Sequence, residues 1–395
     1  MSRSAKWVIG RTLPLLAILL IAPLSDASRT AFPGSNGKVL FLSDRARRGI
    51  GIWLAAPDGG RLRRLRLSAQ TASWSPDGRR IVFNTGVPGQ EIFVVGADGS
   101  GLRRLTRNRV NDTEPSWSPD GSRILFLSRG GLYVMRANGT GRRRLKRSPP
   151  CFSDAAWSPD GTRIVFVDLC GEPTFPVYVT NSDGSAARQI AVGDNPTWSP
   201  DGTMIALDSP GVRVMRADGS EPRVVVAGSS PSWSPDGQRI AFTRETTSVC
   251  APDQRVTQVL SVSVDGSGER EITPRRSSST CEFQDSRPDW QPRCTRYGSN
   301  RNNRVTGTAG RDVICALAGR DIIRSGQGDD VVVGGGGNDL IYGGPGKDWL
   351  FGSAGNDLIM ARDGSPDIVS GGPGRDRARI DRGLDKAFDV ERVLR

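Results

Sequence analysis

The sequence contains no histidine. A Ser-His-Asp or Cys-His catalytic site is therefore impossible, as are a histidine-ligated zinc site and a histidine-bound haem. Lysine is nearly absent, at 5 of the 54 basic residues. No Cys-x-x-Cys occurs among the six cysteines, which leaves a zinc ribbon or a thioredoxin-type motif without support. The one long apolar run, Leu13 to Leu24, is about 12 residues, and a spanning helix needs ~20. Arg3, Lys6 and Arg11 precede that run, and Ser25-Asp26-Ala27 follows it. This layout predicts a secretory signal peptide over 1–27, cleaved after Ala27, and no transmembrane segment in the mature chain. Arg3 and Arg11 are not adjacent, which argues against a twin-arginine signal. An even cysteine count suits an exported protein carrying disulfides.

What the sequence has in plenty is glycine, 49 residues, with 26 prolines. Without a Gly-X-Y period, this composition predicts short strands and tight turns.

A pentapeptide Trp-Ser-Pro-Asp-Gly begins at Trp74, Trp117, Trp157, Trp198 and Trp233, and a degenerate copy surrounds Trp290. One unit of about forty residues thus recurs, with length changes in its loops. β-type runs such as Arg80-Ile81-Val82-Phe83 and Ile92-Phe93-Val94-Val95 follow each pentapeptide, then an Asp-Gly or Asn-Gly turn and an arginine-rich run. Each unit reads as four short strands. Proline presets the first corner of the Ser-Pro-Asp-Gly turn, and Asp and Gly tolerate the rest. One large apolar tryptophan per unit suits packing between neighbouring blades. Six units closed into a ring would protect their edges. The first unit, near Asn36-Gly37-Lys38-Val39, lacks its own tryptophan motif, and no strands follow the copy at Trp290. Residues 287–292 are therefore expected to complete the first blade.

Trp-Ser-Pro-Asp-Gly followed by a basic residue and Ile-x-Phe resembles the propeller repeat of TolB-like proteins over about residues 31–293. The resemblance implies the propeller fold. TolB itself carries an α/β domain ahead of its propeller, whereas few residues separate Ala27 from the first strand here.

Cys151 and Cys170 are symmetric about the Pro159-Asp160-Gly161 turn, a spacing that brings cross-strand neighbours within disulfide range. Cys250 and Cys281 flank the Asp265-Gly266 turn of the sixth unit. Cys294 and Cys315 would then join the propeller's end to the following domain.

From about residue 305 glycine dominates. Asp312, Asp321, Asp330, Asp339, Asp348 and Asp357 recur every nine residues; Asp367 follows after ten and Asp376 after nine. Gly310, Gly319, Gly328, Gly337, Gly346, Gly355 and Gly374 stand two places before an aspartate. Ile314, Ile323, Val332, Ile341, Leu350, Ile359 and Val369 stand two places after one. This resembles the RTX (haemolysin-type) nonapeptide Gly-Gly-x-Gly-x-Asp-x-hydrophobic-x. The resemblance implies a parallel β-roll binding several calcium ions, with two nonapeptides per turn. Glycines permit tight turns and inward carbonyls, and aspartates add the hard oxygens that calcium takes in sets of 6–8. Asp312, Asp330 and Asp348 would line one edge, and Asp321, Asp339 and Asp357 the other. Ala316-Leu317 and Ala361-Arg362 replace glycine pairs. The best sites are thus expected among Asp330, Asp339, Asp348 and Asp357, with weak or empty ones at both ends.

The expected architecture is all-β: a six-bladed propeller over 28–293, a linker over 294–304, a calcium-binding roll over 305–384 and a cap over 385–395. Residues 305–395 carry 12 basic and 14 acidic side chains, and 1–27 are net +2. With a total of +12, the rest, essentially the propeller, is +12 as well. Arginine runs such as Arg61 to Arg66 and Arg142-Arg143-Arg144 fall on the expected outermost strands, where charge blunts an exposed edge. The function expected is an exported, monomeric calcium-binding scaffold without enzymatic activity, secreted or held at the envelope. Its partner would be a protein or an acidic cell-surface polymer rather than nucleic acid. An envelope assembly role like that of TolB, or a polysaccharide-acting propeller enzyme using paired acids, are the alternatives; no unrepeated acidic pair stands out in the sequence.

Overall fold

The computed structural model describes residues 35–45, 49–86, 89–145, 151–170, 174–247, 255–273 and 284–394. The expected signal peptide and the Cys250–Cys281 pair lie outside these residues. Six four-stranded antiparallel sheets form the propeller, and two six-stranded parallel sheets form the roll. Among the described residues there is no α-helix.

The first blade closes the ring as expected. Its inner strand is Asp285–Arg293, paired with Ser35–Ser43, and Gly51–Ala55 and Arg63–Ser68 complete it. The other blades begin with Thr71–Trp74, Asp112–Trp117, Phe152–Trp157, Asp194–Trp198 and Ser229–Trp233. Each pentapeptide turn is held by its own side chains. Ser75 Oγ accepts from the Arg80 amide at 2.9 Å and donates to Asp77, whose carboxylate also accepts from the Arg79 amide. The aspartates of these turns are thus engaged in turn chemistry.

The six tryptophans are buried and bridge neighbouring blades. Trp74 packs on Leu40, Leu42, Ile52 and Leu54 of the first blade; Trp198 packs on Val165, Val167 and Val177 of the fourth. Trp290 closes the circle against Ala241 and Val259 of the sixth.

In the roll, successive coils stack 18 residues apart: Ile314 pairs with Val332, Val332 with Leu350 and Ile323 with Ile341. All seven apolar residues two places after an aspartate are fully buried between the two sheets. The strands Arg296–Ser299 and Arg304–Thr306 already belong to these sheets, so 294–304 is not a free linker. Arg296 pairs with Ile314 and Arg304 with Ile322, because this stretch supplies the first coil's strands without its aspartates. At the far end Lys386–Phe388 and Arg392–Leu394 add one last strand to each sheet.

The two sheets differ on their outer faces. Val313, Cys315, Val331, Trp349 and Phe351 of one sheet are buried, whereas Arg324, Arg377 and Arg379 of the other are exposed. The apolar face turns toward the propeller's Pro-Asp-Gly turns. Two clefts of about 1010 and 650 Å³ lie between them, lined by turn residues of blades 2 to 4 and by Cys315, Val333, Phe351 and Phe388. Arg79 lies 4.6 Å over the Tyr297 ring, and Arg123 pairs with Asp389 at 2.8 Å. The Cys294–Cys315 disulfide ties the propeller's last strand to the roll, and Cys151–Cys170 bridges the inner hairpin of the fourth blade.

Candidate calcium centre and propeller channel

The roll's aspartates form two stacked columns, as the 18-residue period requires. From Asp330 and Asp339 onward, each presents Oδ1 to the backbone amide of the aspartate one coil earlier. Asp312 donates to Asp330 at 2.7 Å, Asp330 to Asp348 at 2.9 Å and Asp348 to Asp367 at 2.9 Å. On the other edge Asp321 donates to Asp339 at 2.8 Å, Asp339 to Asp357 at 2.7 Å and Asp357 to Asp376 at 2.7 Å. The second oxygen is then left over. Oδ2 of Asp321, Asp330, Asp339, Asp348, Asp357, Asp367 and Asp376 is buried with no hydrogen-bond partner. A buried charged oxygen without a partner is costly. A column of them is the donor set that a hard divalent cation satisfies.

Glycine creates the room around these oxygens. A Cβ at Gly334 would stand 2.7 Å from Asp339 Oδ2 and from the Gly352 carbonyl; one at Gly352 would crowd Asp357 Oδ2 and the Gly371 carbonyl. Gly355, at φ +150°, approaches the Gly337 carbonyl so closely that a Cβ would overlap it at 1.6 Å. Backbone carbonyls and bare carboxylate oxygens therefore line the Asp339–Asp357 edge, and a Cβ at Gly343 would likewise stand 2.7 Å from Asp348 Oδ2 on the other. Asp339, Asp348, Asp357 and Asp367 with these carbonyls would hold calcium between coils.

Burial pushes these carboxyls up, and the carboxylate one coil back adds to it. Asp339 is raised to about 6, Asp348 and Asp357 to about 7, and Asp367 to about 8. Asp376 reaches about 6, with Glu391 and Asp389 contributing, and Asp330 is raised too. Amide hydrogen bonds act in the opposite direction without offsetting burial. A cation would replace the proton each group would otherwise hold.

The two ends of the columns differ from each other. Asp312 belongs to the column by position but not by chemistry. Its Oδ2 accepts from the Thr308 amide and hydroxyl and its Oδ1 from Thr295, which with Arg296 hold its carboxyl low despite burial. At the C-terminal end the columns continue past Asp367 and Asp376, which keep bare oxygens. Asp385 accepts from the Asp367 amide at 2.9 Å, and Glu391 accepts from the Asp376 amide. Asp385, nine residues after Asp376, could have been found from the period; Glu391 falls outside it.

The propeller brings acids together that the sequence left scattered. The residue three places before the tryptophan has φ between +50° and +56° in five blades: Glu114, Asp154, Asn195, Ser230 and Arg287. Four of them lie at breaks in strand register, between Thr113 and Ser116, Ser153 and Ala156, Asp194 and Thr197, and Ser229 and Ser232. Glu114 accepts from the Asp154 amide at 2.7 Å. Asp154 is fully buried, and burial with the Glu114 and Asp194 carboxylates raises it well above its ordinary value. Periodic reading missed this cluster because its members differ from blade to blade.

Comparison with known proteins agrees with this geometry. The TolB beta propeller domain family matches residues 61–211 and 129–293, together more than half of the chain. The chain belongs to the TolB-like propeller family. The RTX calcium-binding nonapeptide repeat matches residues 297–332, 324–359, 333–366 and 342–378, so the C-terminal roll is an RTX calcium-binding domain. Among solved structures, TolB from Acinetobacter baumannii is 20% identical, with a TM-score of 0.55 over 66% of this chain and 68% of that one. A chain of the nidogen/laminin complex is 11% identical, with a TM-score of 0.51 over 64% of this chain and 98% of that one. Hydrazine synthase from Kuenenia stuttgartiensis is 15% identical, with a TM-score of 0.52 over 66% and 47%. These likenesses concern the fold. No curated protein matches the chain.

In this TolB-like propeller the basic residue after the pentapeptide has a packing role. Arg80 lies 4.6 Å over the Trp117 ring of the next blade, Arg163 lies 4.6 Å over Trp198, and Arg123 lies 5.7 Å from Trp157. The outermost strands are arginine-bearing and exposed at Arg103–Arg104 and Arg143–Arg144, as expected of guarded edges. Arg142 departs from that pattern: it stacks on Phe126 and Tyr133 and pairs with Asp112.

Proposed function

We propose that the chain is an exported scaffold in which external calcium completes the fold of the RTX roll while the TolB-like propeller carries a recognition surface. The observation that carries the calcium part is the double column of buried aspartates with bare Oδ2 atoms. Without cations these charges oppose burial, so binding free energy becomes folding free energy. The ions bind between coils on both edges, several per chain. The two disulfides among the described residues fit an oxidising compartment, and the N-terminal segment supplies the route there. The roll covers the turn side of blades 2 to 4. Recognition is therefore assigned to the opposite mouth, where Arg109, Asn111, Glu114 and Arg129 line a recess of about 590 Å³. Its partner is a protein or an acidic polymer at the cell surface, and the chain works as a monomer without catalysis.

A polysaccharide-cleaving channel is the reading that the Glu114, Asp154 and Asp194 cluster favours in turn. Glycoside hydrolysis needs two acids reachable by the sugar. Asp154 is sealed from solvent, and this supports binding over hydrolysis. Calcium titration of the mature protein by calorimetry tests the proposal. Several ions bound with a gain of β-signal are expected; no heat at millimolar calcium would overturn it.

A further inference from the structure

We infer that the irregular seventh nonapeptide builds a three-carboxylate divalent-cation site from Asp348, Asp363 and Asp367, and that this site binds calcium more tightly than the two-carboxylate sites of the other coils. The inference rests on the calcium reading of the roll and singles out one position within it.

Asp363 occupies the third place of its copy, Ala361-Arg362-Asp363-Gly364. The equivalent places elsewhere are Ala309, Ala318, Gln327, Gly336, Pro345, Ala354 and Pro373. None carries charge. The copy also holds one extra residue before its aspartate, in Ser365-Pro366. The lengthened turn is fixed by its own bonds: Asp363 Oδ1 accepts from the Ser365 amide at 2.7 Å, and the Asp363 amide donates to Asp381 at 2.9 Å.

Oxygens of Asp348, Asp363 and Asp367 lie within 4.8 Å of one another. One ion with calcium–oxygen distances of ~2.3–2.6 Å can touch oxygens separated by up to about twice that length. Asp348 and Asp367 are buried, and each keeps an Oδ2 without a hydrogen-bond partner. Asp363 is exposed and closes the site from the solvent side. Two carboxylates neutralise a divalent ion; a third leaves excess negative charge, and ligand charge count sets affinity in calcium sites. The same excess suits a trivalent lanthanide, so terbium is expected to enter here first. The coil whose sequence departs most from the repeat is thus the one where loading begins.

The test is calcium calorimetry on the full chain, with Asp363→Asn and Asp329→Asn. Asparagine keeps the acceptor for the Ser365 amide, and Asp363 is exposed, so the fold should persist; circular dichroism at saturating calcium checks this. Asp329 is a nearby exposed carboxylate outside the cluster and controls for general charge. The wild type should show one ion bound about tenfold or more tightly than the rest. Asp363→Asn should lose that phase while the weaker ions remain, and Asp329→Asn should keep it. A single affinity class unchanged by Asp363→Asn, or equal weakening by both variants, would overturn this inference and leave calcium binding by the roll intact. Absence of any calcium binding would overturn the underlying reading as well.

Discussion

The Asp339 amide donates to Asp357 Oδ1 at 2.7 Å, and Asp357 Oδ2, buried beside it, has no hydrogen-bond partner. The same pairing repeats along both edges of the roll. It separates the two jobs of the aspartate: one oxygen sets the coil spacing and the other remains for an ion.

Replacing Asp357 by asparagine should therefore keep the spacing and lose the charge. Calcium stoichiometry is expected to fall by about one ion. The calcium-free roll should become more stable, by on the order of 1 kcal/mol or more, because a buried charge is removed. Calorimetry and thermal unfolding with a chelator check the two effects. A variant that binds calcium like the wild type would contradict the assignment of Oδ2.

Acidity should stabilise the calcium-free roll. Asp339, Asp348, Asp357 and Asp367 have folded values of about 6 to 8, above the unfolded carboxylate value near ~4. Between these values the folded state holds more protons, so stability falls as pH rises. The decline should begin near pH 4 and be complete near pH 8. With saturating calcium the loss should disappear, and binding at pH 6 to 7 should release protons. Unfolding midpoints at pH 5 and 8, with calcium and with chelator, measure this.

Coil stacking should fail at Gly355 and not at Gly310. A Cβ at Gly355 would overlap the Gly337 carbonyl, whereas one at Gly310 meets nothing within 4 Å. Gly355→Ala is expected to destabilise the roll by at least ~2 kcal/mol, and Gly310→Ala to be nearly neutral. Far-UV circular dichroism of the two variants in calcium distinguishes them.

The propeller should depend on its inter-blade tryptophans independently of calcium. Trp198 is fully buried against the fourth blade, and truncation to alanine should cost ~3–5 kcal/mol. Arg163→Met, which removes only the cation over that ring, should cost ~0.5–1 kcal/mol. Neither should change calcium stoichiometry.

Periodic features were legible before the structure. The Trp-Ser-Pro-Asp-Gly spacing gave the blade count, the closing strand around Trp290 and the inter-blade tryptophans. The nine-residue spacing marked the aspartates and the core from Ile314 to Val369, and the resemblance to RTX nonapeptides, two per turn, sorted the aspartates into two columns. What escaped was aperiodic. Glu114 and Asp154 occupy the equivalent bulge position of adjacent blades and Asp194 stands one place before it in the next, so the three acids meet without sharing a repeat position. Asp312 keeps the period, yet Thr308 and Thr295 satisfy its oxygens, and spacing does not report that. Asp363 and Glu391 stand off the repeat and join the columns through turn geometry.

The most direct measurement is anomalous scattering from crystals of the full chain grown with calcium. The account predicts peaks between coils on both edges, ~2.3–2.6 Å from Oδ2 of Asp339, Asp348, Asp357 and Asp367. An ordered roll at millimolar calcium with no such peaks, its Oδ2 atoms protonated or bonded to water, would contradict it.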